Sequence, residues 1–169
     1  MILKVIESFF SRLRRHKYCN YENKEPVFIG IEKDRARYGK FLSLVKDGMD
    51  EHGEVNFYTE GDRATFELIG KGKVRFHLVL DFSGFGDPRV IIYGLGAKPA
   101  GTGLGTEILK ILCREDDSMG LGIGLNSVPS SAGEVSYPNL RESRDAWLSR
   151  HGFEYLPLGD LNYVRRGKD

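Results

Sequence analysis

Cysteine is scarce in this chain, with Cys19 and Cys113 the two among 169 residues. Neither has a CxxC, CxxH or HxxxH companion, so neither a disulfide framework nor a zinc site is expected. Cys113 lies in an apolar helical stretch and reads as a buried thiol. This usage suits a reducing compartment, the cytoplasm. Long apolar runs are missing too, none approaching the ~18 residues of a membrane span, so no transmembrane segment is expected. Neither sign of charge dominates. With 25 Lys+Arg against 24 Asp+Glu the formal charge is +1, which argues against a protein built to coat nucleic acid or an anionic membrane. There is no internal repeat and no low-complexity tract. What remains, 40% apolar and 29% charged residues, is enough for a packed core, and the length fits a single domain over 1–169.

Glycine is in surplus: 21 in 169 residues, about 12% against a usual ~7%. Around these glycines the pattern predicts an amphipathic helix over residues 1–20, docked on the domain. Most of its charge (Arg12, Arg14, Arg15, Lys17) comes after the apolar residues, opposite to a secretory signal. A short strand follows at 27–31 and a helix at 34–50, carried by Tyr38, Phe41, Leu42, Val45 and Met49. Strands are expected at 55–59, 64–69 and 74–81, the last two joined by the hairpin signal Gly70-Lys71-Gly72-Lys73. A strand at 89–95 enters a glycine-rich loop and a helix at 103–114. A strand at 121–128, a helix at 140–151 and a hairpin over 153–166 complete the chain. The order predicts α+β or mixed α/β architecture: one mixed, mostly antiparallel sheet flanked by helices.

The segment Leu95-Gly96-Ala97-Lys98-Pro99-Ala100-Gly101-Thr102-Gly103-Leu104-Gly105-Thr106 runs from a strand through small residues into a helix. The first turn of a helix has N–H groups without intrahelical acceptors and a partial positive charge, and glycines let an anion approach them. A Walker-type loop is excluded because no Lys follows Gly103 or Gly105. A dinucleotide fingerprint fails because its third glycine arrives one residue early and the loop lacks a preceding βαβ unit. The segment instead resembles the acyl-CoA pyrophosphate loop of the GNAT superfamily of N-acetyltransferases. There an aliphatic residue ends the central strand, and a Gln/Arg-x-x-Gly-x-Gly/Ala run opens a helix. Leu95 falls at the aliphatic position, and Gly103 and Gly105 at the two glycines. The later order is similar as well, with a glycine-containing strand, a helix closing in Gly152-Phe153 and a terminal hairpin, so the likeness spans residues 55–166.

The resemblance implies acetyl-CoA as co-substrate, held by Leu95, Gly96, Ala97, Gly101, Thr102, Gly103, Leu104, Gly105 and Thr106, with Asn126 at the pantetheine amides. It implies direct attack by a primary amine of a small molecule or protein, with a backbone N–H near 95–97 stabilising the oxyanion. A homodimer is left open. The chain departs from the family at two positions. Ala100 fills the Gln/Arg place, with Lys98 the nearest cation, and Leu148 stands where the family's proton-donating tyrosine falls. Tyr137, Ser149 or Tyr155 could donate in its place; otherwise the domain binds acyl-CoA or a partner without catalysis. For the base, His77 leads, on the face of Arg75 and Val79 if its strand is regular. Asp81, Asp87 and Glu134 are the other candidates. Independently of the family, Gly94 and Gly96 alternate in one strand, and Gly120, Gly122 and Gly124 in another. If the strands are neighbours, their bare faces form a slot for a thin ligand or allow close helix packing.

Overall fold

The computed structural model describes residues 34–83, 88–99, 101–125, 139–158 and 161–167. The expected helix over 1–20 and strand at 27–31 lie outside them, as do Asp87, Ala100, Asn126, Glu134 and Tyr137.

Helix α1 (Arg35–Asp50) buries the apolar positions that its spacing selects, Tyr38, Phe41, Leu42, Val45 and Met49. Strands β1 (Glu54–Glu60), β2 (Arg63–Gly70) and β3 (Lys73–Asp81) form an antiparallel meander. The β2–β3 turn has Lys71 at φ 52° and Gly72 at φ 71°, the two positive φ values of the tightest hairpin turn. Strand β4 (Val90–Ala97) pairs antiparallel with β3. Helix α2 (Leu104–Met119) follows, then β5 (Ile123–Leu125), which lies parallel to β4. Helix α3 (Asn139–Arg150) leads to the terminal hairpin of β6 (Glu154–Leu158) and β7 (Leu161–Arg165). The result is one seven-stranded sheet in the order β1-β2-β3-β4-β5-β7-β6, mixed and mostly antiparallel. The predicted α+β architecture is the observed one.

One face of the meander is apolar because strand side chains alternate. Phe66 and Leu68 of β2, Phe76, Leu78 and Leu80 of β3 and Ile92 of β4 are buried with Phe41, Met49, Ile108 and Leu112 of the helices. Helices α1 and α2 approach closely at Gly48, where an added Cβ would stand 2.8 Å from Ile111 Cγ2. Cys113 joins this core as expected. Burial first, and the nearby acidic Asp116 and Asp117, push its thiol up to about 11 against the pull of Arg165.

The glycine series after α2 requires correction. Gly120 (φ 58°) caps the helix and Gly122 (φ 72°) is also left-handed, so Gly124 alone lies in the strand. An added Cβ on Gly124 would meet Pro88 Cγ at 2.7 Å and Leu161 Cδ1 at 2.9 Å. That face is filled by packing, and β4 and β5 do not line a common bare slot. The helix itself runs five residues past the expected end, to Met119.

Candidate functional site

The site begins with a change of hydrogen-bonding direction in β4. In a regular strand, alternate residues direct both N–H and C=O to the same neighbour. The N–H of Val90 donates to Gly122 O at 3.1 Å, on the β5 side, whereas that of Lys98 donates to Arg75 O at 2.7 Å, on the β3 side. Both positions are even, so the direction reverses once between them. The reversal is a bulge: Val79 pairs with Gly94 and Leu80 with Ile92, leaving Tyr93 as the extra residue. Past the bulge, Gly94, Gly96 and Lys98 address β3, and Leu95 and Ala97 address the other side. There β5 pairs only as far as Ile92, opposite Leu125. Among the described residues, no strand covers the Leu95 and Ala97 amides.

The loop beyond β4 reaches α2 through two left-handed glycines, Gly101 at φ 80° and Gly103 at φ 81°. Gly103 is the N-cap and, having no side chain, caps nothing with one. Its carbonyl accepts from Thr106 N–H at 3.0 Å and from Glu107 N–H at 3.1 Å, so those two amides are committed. The amides of Gly103, Leu104 and Gly105 have no acceptor among the described residues. The space before them is open: a Cβ on Gly101 or Gly103 would have nothing within 4 Å, and one on Gly105 only Phe76 Cε2 at 3.9 Å. A hollow of about 340 Å³ adjoins this turn, lined by His52, Leu68, Arg75, Gly103, Leu104 and Glu107, with Thr102 at its rim. Glu107 is occupied by Lys110 at 2.9 Å, and that bond holds its carboxyl below the usual range.

Of the loop residues named from sequence, Gly103, Leu104 and Gly105 carry the N–H groups left without an acceptor among the described residues, with Gly101 and Thr102 exposed beside them. The Thr106 side chain turns away, its Oγ1 accepting from Trp147 Nε1 at 3.0 Å and fastening α3 to the start of α2. Leu95 and Ala97 pack against the core with their side chains while their amides face outward, and Gly96 is exposed.

His77 lies across from Gly96 and contacts the Gly94 position, where an added Cβ would be 3.7 Å from His77 Cε1. It therefore stands beside the stripped length of β4. Partial burial, helped by the Lys98 charge and opposed by Glu67, holds its imidazole below the usual histidine range. Asp81, a candidate base from the sequence, is engaged by other residues. It is buried, accepts from Arg63 Nε at 2.9 Å and Ser83 N–H at 2.8 Å, and serves as a structural anchor. Burial opposes ionisation there, but the Ser83 and Arg63 bonds prevail and its carboxyl sits below the usual range. Arg63 continues from that pair over the ring of exposed Tyr93, 3.8 Å from its centroid.

Leu148 is 0% exposed. Its side chain belongs to the core, and Ser149, the next residue, is exposed on α3. Tyr155 is exposed and packs edge-on against Tyr163, 5.5 Å between centroids. Substituting Leu148→Tyr is consequently expected to overpack the core and lower stability by about 1–3 kcal/mol, without raising any acetyl-transfer rate. Urea unfolding and a thiol-release assay check the two halves of that expectation.

Sequence reasoning missed Arg75. The alternation of Val74, Phe76, Leu78 and Leu80 puts it on the His77 face, but the strand is irregular there, and Arg75 lines the hollow at α2 instead. Lys98, the cation expected near the loop, acts on His77 and is not among the residues lining the hollow.

No family model matches this chain, and no curated protein does. Among solved structures, the chain is similar to a protein from Exiguobacterium sp. 255-15 described as a presumed acetyltransferase. Identity is 13%, coverage 74% of this chain and 73% of that one, and the TM-score 0.42. It is also similar to the ribosomal-protein-S18-alanine N-acetyltransferase of Escherichia coli, at 17% identity over 66% of this chain and 73% of that one, with a TM-score of 0.44. These are likenesses of fold; the chemistry is read from the residues of the site.

Proposed function

We propose that this chain is a GNAT-like N-acetyltransferase that takes acetyl-CoA at residues 95–106 and transfers its acetyl group to a primary amine. The observation that carries this reading is the row of amides at Gly103, Leu104 and Gly105 that have no acceptor among the described residues and lie beside open space at a helix N-terminus. Amides so placed suit a diphosphate, because helix-end N–H groups and the dipole both favour an anion. A side chain in place of Gly101 or Gly103 would enter the space that the anion needs. Bound acetyl-CoA supplies the activated acyl group.

The rest falls to the chain's own residues. The outward amides of Leu95 and Ala97 are fixed by the strand and need no reorganisation to receive a developing negative charge. His77, where burial lowers the imidazole pKa and so favours its neutral form, can accept the amine proton directly or through water. The buried Leu148 donates no proton, so the departing thiolate is protonated by another donor or by solvent.

Calorimetry with acetyl-CoA tests the reading first. Saturable binding at micromolar to low millimolar concentration is expected, and no binding at millimolar cofactor rejects it. Transfer to a panel of amines and N-terminal peptides tests the chemistry. His77→Gln is expected to lower kcat/KM by about 100-fold or more. In the unsubstituted protein the rate should fall on the acid side, with a midpoint below the ordinary histidine value of 6.5, and that limb should vanish in the variant. One observation favours a second reading, acyl-CoA binding without transfer: the tyrosine position is a core leucine. Tight binding with no product from any amine would select it.

A further inference from the structure

We propose that Arg75 is a cofactor-selecting residue, a cation aimed by a β-bulge at the diphosphate held by the α2 amides. The inference rests on the acetyl-CoA reading above and supplies the side-chain anion contact that the sequence loses at Ala100.

Residue counting places Arg75. In the β2–β3 ladder Leu68 pairs with Phe76 and Ile69 with Val74, so Arg75 has no partner and is the extra residue of a bulge. Bulges re-aim a side chain that regular alternation would send to the opposite face. Val79 and His77 keep the alternation and face Gly94, whereas Arg75 lines the hollow with Leu68, Gly103 and Leu104. Its backbone carbonyl accepts the Lys98 N–H, which moors the start of the cradle loop to the same residue.

Gly70 makes the aim feasible. A Cβ there would stand 2.1 Å from Arg75 Cδ and 3.0 Å from Cγ, so the arginine stem lies directly across a position where any side chain would displace it. Among the described residues Arg75 forms no ion pair and no hydrogen bond through its guanidinium. The one carboxylate lining the hollow, Glu107, is occupied by Lys110. An uncommitted guanidinium thus shares a hollow with uncommitted helix-end amides. A planar fork of donors beside such amides suits the oxygens of a diphosphate.

The test measures binding by calorimetry, with thermal melting as the fold control. Three probes are compared: acetyl-CoA, its 3′-dephospho form and phosphate-free acetyl-pantetheine. Arg75→Gln should weaken acetyl-CoA and the 3′-dephospho form alike, by about 10- to 100-fold, as loss of a charge-assisted hydrogen bond implies. It should leave acetyl-pantetheine unchanged, and Arg75→Lys should recover part of the loss. Gly70→Ala, which keeps the charge but evicts the stem, should weaken the two phosphorylated probes in the same way. Equal affinity of Arg75→Gln and the unsubstituted protein for acetyl-CoA overturns the proposal while the cofactor reading stands. So does a penalty that appears equally with acetyl-pantetheine, or one that disappears with the 3′-dephospho form. Failure of the unsubstituted protein to bind acetyl-CoA overturns the cofactor reading itself.

Discussion

Replacing Gly103 by glutamate is expected to remove acetyl-CoA binding and leave the chain folded. Gly103 sits at φ 81°, and an added Cβ would meet nothing within 4 Å, so the new side chain enters open space. That space lies in front of the Gly103, Leu104 and Gly105 amides. A carboxylate there takes up the same donors as a diphosphate and repels it. Two unit charges about 4 Å apart near a protein surface interact by roughly 4 kcal/mol before screening. A loss of at least about 100-fold in affinity follows, even after a generous allowance for salt. The left-handed backbone adds a separate cost of about 1–2 kcal/mol for any residue with a Cβ. In a domain of this size that is a fall of roughly 2–8 °C in Tm. Gly103→Ala separates the two effects, since it carries the same strain without the charge. Its Tm should fall as far as that of Gly103→Glu, and its affinity should fall far less, because a methyl enters the same space without the charge. Unaltered affinity in the glutamate variant, measured by calorimetry on protein that still melts cooperatively, would remove the diphosphate from this loop.

The position of that loop was legible because its signals are local. A strand, a run of small residues and an amphipathic helix each have a local pattern, and the hairpin announces itself by Gly70 and Gly72, although its other positive-φ position is taken by Lys71. What was not legible depends on pairing. The bulges at Arg75 and Tyr93 arise because one strand has a residue more than its neighbour across a given stretch, and neither residue type marks this. Yet the bulges decide the site: one turns Arg75 into the hollow, and the other turns the Leu95 and Ala97 amides away from β3. The alternation Gly120, Gly122, Gly124 misled for a related reason. Left-handed glycines after a helix and glycines on one strand face have the same spacing, and only backbone angles separate them. The helix expected at 103–114 continues through the acidic run Glu115-Asp116-Asp117 to Met119. In the fold Asp116 is 0% exposed. Composition assigns acids to water; it cannot see the arginine 49 positions later that meets this one.

That arginine sets the second large effect. Asp116 accepts from Arg165 Nη1 at 2.5 Å and from Gly122 N–H at 2.8 Å, while Arg165 reaches Asp117 at 2.6 Å and, through Nε, His151 O at 3.0 Å. The cluster joins the end of α2, the approach to β5, the last turn after α3 and the end of β7. Asp116→Ala leaves a buried guanidinium with two of its three partners, Asp117 and His151 O, and orphans the Gly122 amide. Breaking a buried pair in this way costs about 3–5 kcal/mol, visible as a lower urea midpoint with an unchanged slope. Asp116→Asn keeps an acceptor for Gly122 and should lose less. The double variant Asp116→Leu/Arg165→Met removes both buried charges and should recover much of the loss, since apolar replacements of buried pairs are often neutral. For contrast, breaking the exposed pair of Lys110 and Glu107 should cost no more than about 0.5 kcal/mol. The cluster stands at the opposite end of α2 from Gly103, a helix of 16 residues and so about 24 Å long. Affinity for acetyl-CoA in whatever fraction stays folded should therefore be unchanged. Asp116→Ala protein as stable as the original would show that the cluster contributes nothing net. A loss of affinity in the folded double variant would show instead that the end of α2 and the diphosphate site are coupled.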